Sequence, residues 1–359
     1  MSHPPPLEKY LISKLTYDEK SAQVYDAVFS EFEELYTKAK EATTLSERWA
    51  LMAIAEAKML ATATFIPTSA QNGYYAMGRL ASETEPYALW GTDESRFHNL
   101  VVTEEIMTSE TRAEAKAKWY ELRGTGTYEA WLEGYLTDNG YTLKDSYTST
   151  FNTDPITWDI LATSLASVSE YVVNTYDGLT EYDSEGVMQP ALAESWSVSE
   201  DGLKYTFKLR EGVKWVDSQG REVAEVKADD FVAGMQHMMD AMGGLEYLIE
   251  GIIVNASEYI NEEVTDFAEV GVKALDDYTV EYTLEAPCSY FMTMLSYSIF
   301  APMSRSYYES QGGKFGAEYD TSAADYTYGT SKDTIAYCGG FLCTNHTPQN
   351  VMVFEANPT

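Results

Sequence analysis

Apolar residues recur along this chain with two different periods. In the first third the spacing is helical: Tyr25, Val28, Phe29, Phe32 and Tyr36 follow a capping-box pair, Thr16 and Glu19. Thr44 and Glu47 repeat that start signal before Trp49, Met52, Ala53 and Leu60. Shorter helices are predicted over residues 110–122 and 128–136, the second ending before Asn139-Gly140. Between the second and third helices the chain reads as short strands and loops. From about Tyr141 strands and turns dominate. Tyr205, Phe207 and Leu209 point one way while Lys204, Thr206, Lys208 and Arg210 point the other, so this is a half-buried strand behind the turn Glu200-Asp201-Gly202. Val280, Tyr282 and Leu284 alternate in the same way after Asp276-Asp277. One strong helix is expected over residues 228–242, and "YCGGFLCTNHTPQNVMVFEANPT" reads as a strand, a turn and another strand.

Composition narrows the classes of function. A chain of 359 residues with 45% apolar content can build real cores, in two domains or in one large domain with subdomains. A net charge of −33 repels phosphate backbones and anionic lipid, which argues against nucleic acid as a partner and against peripheral membrane attachment. The three cysteines, Cys288, Cys338 and Cys343, cannot form a disulfide framework and are expected as small buried residues. No run of about 18 apolar residues is present. The N-terminus lacks the apolar core of a secretory signal, so export would require a signal lying upstream or already removed.

Residue chemistry identifies no catalytic constellation. His3, His98, His237 and His346 are scattered; His237 and Asp240 share a helical face, but that spacing fits a solvated edge as well as a metal site, and no metal is expected. Cys338 and Cys343, five apart in an expected strand, fall on opposite faces. "GTGTYEAW" at 124–131 lacks the third glycine and preceding strand of a dinucleotide loop, and no cofactor is expected. Among 57 carboxylates no pair is marked as special, so glycosidase chemistry is not excluded by counting. The 28 tyrosines, against 13 phenylalanines and 7 tryptophans, suit a polar ligand cleft and equally suit half-buried edges.

From Tyr147 to Asn357 the chain resembles the family 5 extracellular solute-binding proteins, the oligopeptide-binding subunits of bacterial ABC importers. Five segments in order carry the resemblance: "DPITWDILATSLASVSEYVVNTYDGLTEYDSEG", "PALAESWSVSEDGLKYTFKLREGVKW" with "VKADDFVAGMQHMMD", "EVGVKALDDYTVEYTLEAPCSYF", "APMSRSYYE" and "AYCGGFLCTNHTPQNVMVFEANPT". The resemblance implies an α/β fold, a periplasmic-binding-protein-like type II lobe with a small mixed α/β subdomain, preceded by a helix-rich segment. On this reading residues 1–145 are the helix-rich segment. Residues 146–359 are the first lobe, with an inserted subdomain at about 177–305, and the second lobe is absent. Residues 47–105 resemble the C-terminal tail of the same family, which suggests either a junction between tandem modules or an N-terminal segment that supplies closing strands to the lobe.

In such proteins two lobes close on a ligand whose backbone is held by strand-like hydrogen bonds, while its side chains sit in hydrated pockets. The resemblance places Thr163, Ser164, Leu165 and Ala166 in the loop that faces the peptide, and Tyr247 near the cleft. Tyr337, Cys338 and Gly339 are structural in this reading, and Tyr205, Phe207 and Leu209 are core. It further implies a peptide ligand, an ABC permease in the membrane as partner, a monomer that is not an enzyme, and a location on the extracellular face of the cytoplasmic membrane or in the periplasm. Competing readings are a binding protein for another solute such as an oligosaccharide or nickel, a secreted carbohydrate hydrolase, and an interaction fragment with no ligand of its own.

Overall fold

A computed structural model describes residues 19–64, 78–87, 89–151 and 153–359. The Thr16 half of the first capping box and the segment 65–77 lie outside the described residues. The chain forms two compact units, residues 1–75 with 287–291 and residues 76–286 with 292–359.

In the first unit α1 (Glu19–Glu41) and α2 (Leu45–Ala61) pack as a helical hairpin. The predicted cap on α2 is present: Thr44 Oγ1 accepts from the Glu47 N–H at 3.3 Å. Phe32, Tyr36 and Ala39 of α1 meet Met52, Ala55 and Met59 of α2, so Phe32, Tyr36 and Met52 of the spacing read from the sequence lie on this interface, whereas Val28 and Ala53 are exposed. Trp49 departs from it and is 52% exposed. In the 287–291 segment, Tyr290 receives the Arg48 guanidinium over its ring at 3.9 Å.

The second unit begins with an irregular run in which Leu80 bridges to Val102, followed by β1 (Val102–Thr103), which pairs with β2 (Leu143–Lys144). Helices α3 (Ser109–Leu122) and α4 (Tyr128–Asp138) bury Ala115, Trp119, Tyr128, Leu132 and Leu136 in one core with Ala81, Val101 and Met107. Thr108 caps α3 by accepting from the Thr111 N–H at 3.1 Å. Residues 93–97 are pinned to the segment after α5 (Ala166–Val172) by a buried guanidinium. Arg96 donates to the carbonyls of Val173 and Tyr176 at 2.8 and 2.9 Å and pairs with Asp93 at 3.1 Å. Asn174 accepts from the Phe97 N–H at 2.7 Å beside it.

Beyond this point the chain is built mainly from hairpins. β3 (Thr180–Tyr182) pairs with β4 (Met188–Pro190), and β5 (Ala193–Val198) with β6 (Lys204–Leu209). β7 (Lys214–Val216) pairs with β8 (Glu222–Glu225), and β9 (Val272–Asp276) with β10 (Thr279–Thr283). Joining β6 to β10 gives a four-stranded antiparallel sheet in the order β5-β6-β10-β9. Its register sets Phe207 opposite Val280 and Tyr205 opposite Tyr282, and all four side chains are buried, as the alternation predicts. Helix α6 (Ala228–Ala241) packs against β9 and β10. β11 (Phe341–Thr347) and β12 (Val351–Ala356) form the last hairpin. Cys338 is not in that strand, because the Gly339-Gly340 bend intervenes; the alternation argument for Cys338 and Cys343 therefore does not apply, and both thiols are buried and free. Mixed helix and strand throughout places the chain in the α/β class.

Candidate functional site

The candidate loop grows out of a buried carboxylate. Asp159 is 4% exposed, and its Oδ1 accepts from the Leu161 N–H at 3.2 Å, which opens a single 3-10 turn over Ile160–Ala162. The chain leaves that turn extended, with Thr163 at φ −152° and ψ 147° and Leu165 at φ −80° and ψ 115°. Thr163 Oγ1 accepts from the Leu165 N–H at 3.2 Å, which holds the loop from within. Thr163 is buried, whereas Ser164, Leu165 and Ala166 are exposed, and Ala166 is the first residue of α5. The Leu165 carbonyl accepts from the Val168 and Ser169 N–H groups, so pairing of this loop with another extended chain would fall on Ser164.

The other predicted segment comes to the same place. Helix α6 ends where Met242 takes φ +50°, and Gly243-Gly244 then passes against the loop. A Cβ at Gly243 would lie 2.5 Å from the Ala162 carbonyl carbon and 2.6 Å from the Thr163 nitrogen. Only glycine permits that approach. One at Gly244, which adopts φ +100°, would lie 3.1 Å from Ser164 Oγ. The buried Glu246 carboxylate fixes the turn by accepting from the Gly244 N–H at 2.9 and 3.1 Å. Tyr247 follows in a short 3-10 turn and is 42% exposed. Its neighbour Tyr297 has its phenol pushed up to about 12, by burial first and then by the Tyr247 and Asp93 groups. The structure thus brings Ser164 against the Gly243-Gly244 turn that leads into Tyr247.

Two residues here, Asp159 and Gly243, escape sequence reading. Asp159 sits in an unremarkable Trp158-Asp159-Ile160 run. The contact of Gly243 with Ala162 joins positions far apart in the chain, and a Gly-Gly doublet after a helix signals a turn without naming what it touches. His237 carried the only legible signal, and the solvated-edge alternative was wrong. Its side chain is fully buried and lies 2.6 Å from Asp159. Among the described residues no group of three or more His, Cys, Asp or Glu side chains is placed to hold a metal ion. Nor is any described helix long and apolar enough to cross a membrane. Tyr171, Tyr282, Tyr308 and Tyr337 are fully buried, so these rings pack cores rather than line a cleft.

A surface depression of about 510 Å³ shares no residue with this loop. Its walls include Glu225, Lys227, Asp229, Asp276, Arg305 and Glu309, and its two cations are already paired: Arg305 with Asp229 at 2.5 Å, Lys227 with Glu225 at 3.3 Å. The extended loop therefore remains the better candidate.

Comparison with known proteins gives the class. Residues 187–359 match the family model described as bacterial extracellular solute-binding proteins, family 5 middle. The chain is 39% identical over 212 residues to the oligopeptide-binding protein AmiA of Streptococcus pneumoniae, covering 59% of this chain and 30% of that protein. It is 33% identical over 244 residues to the oligopeptide-binding protein AliA of the same species, covering 67% of this chain and 35% of that protein. It thus spans about a third of the length of these curated relatives. Among solved structures, the substrate-binding domain of an oligopeptide ABC transporter from Bacillus anthracis aligns at a TM-score of 0.49 and 33% identity, covering 58% of this chain and 37% of that one. OppA of Listeria monocytogenes bound to peptide aligns at a TM-score of 0.48 and 26% identity, covering 58% and 38%.

Proposed function

We propose that this chain carries the peptide-contacting part of a solute-binding protein that captures peptides outside the cytoplasmic membrane and delivers them to an ABC permease. The observation that carries this reading is the exposed Ser164, between the extended Thr163 and Leu165 and held against the Gly243-Gly244 turn beside Tyr247. The names of the relatives support the ligand class, since AmiA and AliA are both oligopeptide-binding proteins. In this reading residues 146–359 form the first lobe of a type II binding protein, with residues about 177–305 as its inserted subdomain. Backbone pairing explains how one site takes many sequences, because N–H and C=O groups recur in every peptide while side chains do not. Thr163 acts from beneath, fixing Leu165, while Ser164, Leu165 and Ala166 face the ligand and Tyr247 flanks it. The protein performs no chemistry on its cargo.

Calorimetric titration with a defined set of tri- to hexapeptides, a maltooligosaccharide and Ni²⁺ tests the class. Binding by peptides alone supports it, and binding by the sugar or the metal alone overturns it. Ser164→Pro tests the loop, because proline suits an extended position but removes the backbone donor. Loss of one hydrogen bond worth about 1.5 kcal/mol should weaken peptide binding roughly tenfold with little change in thermal stability. Unchanged affinity would remove this loop from the site.

A further inference from the structure

We propose that His237 is a positioning residue for the candidate ligand loop, acting through Asp159 as a buried hydrogen-bond donor; this rests on the loop reading above. His237 lies on α6 with no exposed surface, and its Nε2 is 2.6 Å from Asp159 Oδ2. A carboxylate oxygen only accepts, so Nε2 carries the proton of that bond. The other oxygen of the same carboxylate accepts from the Leu161 N–H and so sets the turn that launches Thr163 to Ala166. One carboxylate is therefore shared between the helix and the first peptide group of the loop.

Both partners are confined. The imidazole is surrounded by the rings of Tyr308, Tyr319 and Tyr328, with centroids at 4.7, 5.8 and 5.9 Å. The backbone beside Asp159 is held by Gly329, whose carbonyl accepts from the Trp158 N–H at 2.7 Å. Gly329 holds φ +70°, and a Cβ there would lie 2.6 Å from Asp159 Cβ. Asp159 cannot shift to find another partner if His237 is removed. Helix α6 and the turn after it then meet the loop at two points: at its start through His237 and Asp159, and at Ala162-Thr163 through the backbone of Gly243. Water in place of the ring would not reproduce this, because the site is closed by aromatic rings rather than open to solvent. His237 does not touch ligand; its effect reaches the ligand through the loop.

The measurement is hydrogen–deuterium exchange over residues 160–166, together with peptide affinity and thermal midpoint, on the whole chain. His237→Leu removes the donor, whereas His237→Gln retains an amide N–H at similar reach. The expected result is exchange at least tenfold faster in this segment and affinity at least tenfold weaker for His237→Leu, with His237→Gln restoring both to within about threefold. Asp159→Asn keeps an acceptor for Leu161 but puts an amide N–H in place of the oxygen that accepts from His237, and serves as a second variant if His237→Leu does not fold; it should show the same two changes to a smaller extent. Equal defects in the Leu and Gln variants would overturn the proposal, because they would mark the site as packing alone. So would a lowered midpoint with unchanged exchange and affinity. Exchange needs no ligand, so failure of the peptide reading, which Ser164→Pro and the titrations detect, is distinguishable from failure of the His237 link.

Discussion

At the scale of single residues, burial and charge set behaviour that residue type alone does not. Glu181, on β3, has its carboxyl raised from 4.5 to about 6, by burial first and then by Asp177, against the opposing pull of Arg96. His98, 3.8 Å away, is lowered to about 4 by burial and by Arg96, so it is neutral across the range in which Glu181 titrates. A carboxyl raised on folding stabilises the protein when protonated: the contribution is full below about 4.5 and is lost as pH rises through about 6. The shift is worth at most about 2 kcal/mol, and less once solvent screening of a side chain that is 33% exposed is allowed for. Glu181→Gln should therefore raise the thermal midpoint at pH 7.5 and leave it nearly unchanged at pH 4.5; an equal gain at both pH values would show that ionisation is not the cause. None of this is legible in the linear sequence, where "TEYDSEG" is one acidic turn among many. The same applies to His237, whose burial depends on Tyr308, Tyr319 and Tyr328 arriving from some 80 residues downstream. What could be read locally was the alternation of Tyr205, Phe207 and Leu209, since a strand's own pleat fixes which side chains share a face.

At the scale of elements, the start of α6 shows how a helix is tied to a strand and to the segment after Met303. Asp230 Oδ2 accepts from the Lys227 N–H at 2.9 Å and from the Trp215 indole of β7 at 2.8 Å, while Oδ1 accepts from the Arg305 N–H at 3.1 Å. One buried carboxylate thus caps the helix, anchors the tryptophan behind "REGVKW" and fixes the segment after Met303. Asp230→Ala should cost about 3 kcal/mol, since it leaves several buried donors without an acceptor at about 1–3 kcal/mol each. Urea unfolding should show a lower midpoint with an unchanged slope, and Asp230→Asn should recover part of the loss. A loss under about 0.5 kcal/mol would mean that water replaces the carboxylate. The helix itself was legible from its apolar periodicity, and α2, α3 and α4 from theirs, because caps and spacing are local signals. The loop at 163–166 was found through resemblance, and its support by Gly243 became visible only in three dimensions, because a contact between a turn and a loop some 80 residues away leaves no periodic trace.

At the scale of the whole molecule, the dominant quantity is a net charge of −33 on 359 residues. The buried Arg96 pairing lies in a low-dielectric interior and is little affected by salt, whereas the excess surface carboxylates repel one another through solvent. That field also acts on ligands in transit: a binding site on an acidic body attracts cationic peptides and repels anionic ones before any contact forms. If the site pairs with peptide backbone as proposed, it is blind to side chains, and selectivity among peptides of equal length should appear chiefly in the association rate. A lysine-rich tripeptide should associate faster than a glutamate-rich one at about 10 mM salt, where the screening length is about 30 Å, and the two rates should converge at about 1 M, where it is about 3 Å. Dissociation rates should differ little at either salt. Stopped-flow fluorescence from the aromatic residues near Tyr247 provides the measurement. If the difference lies in dissociation and survives high salt, the loop reads side chains directly, and backbone capture is the wrong account of this site.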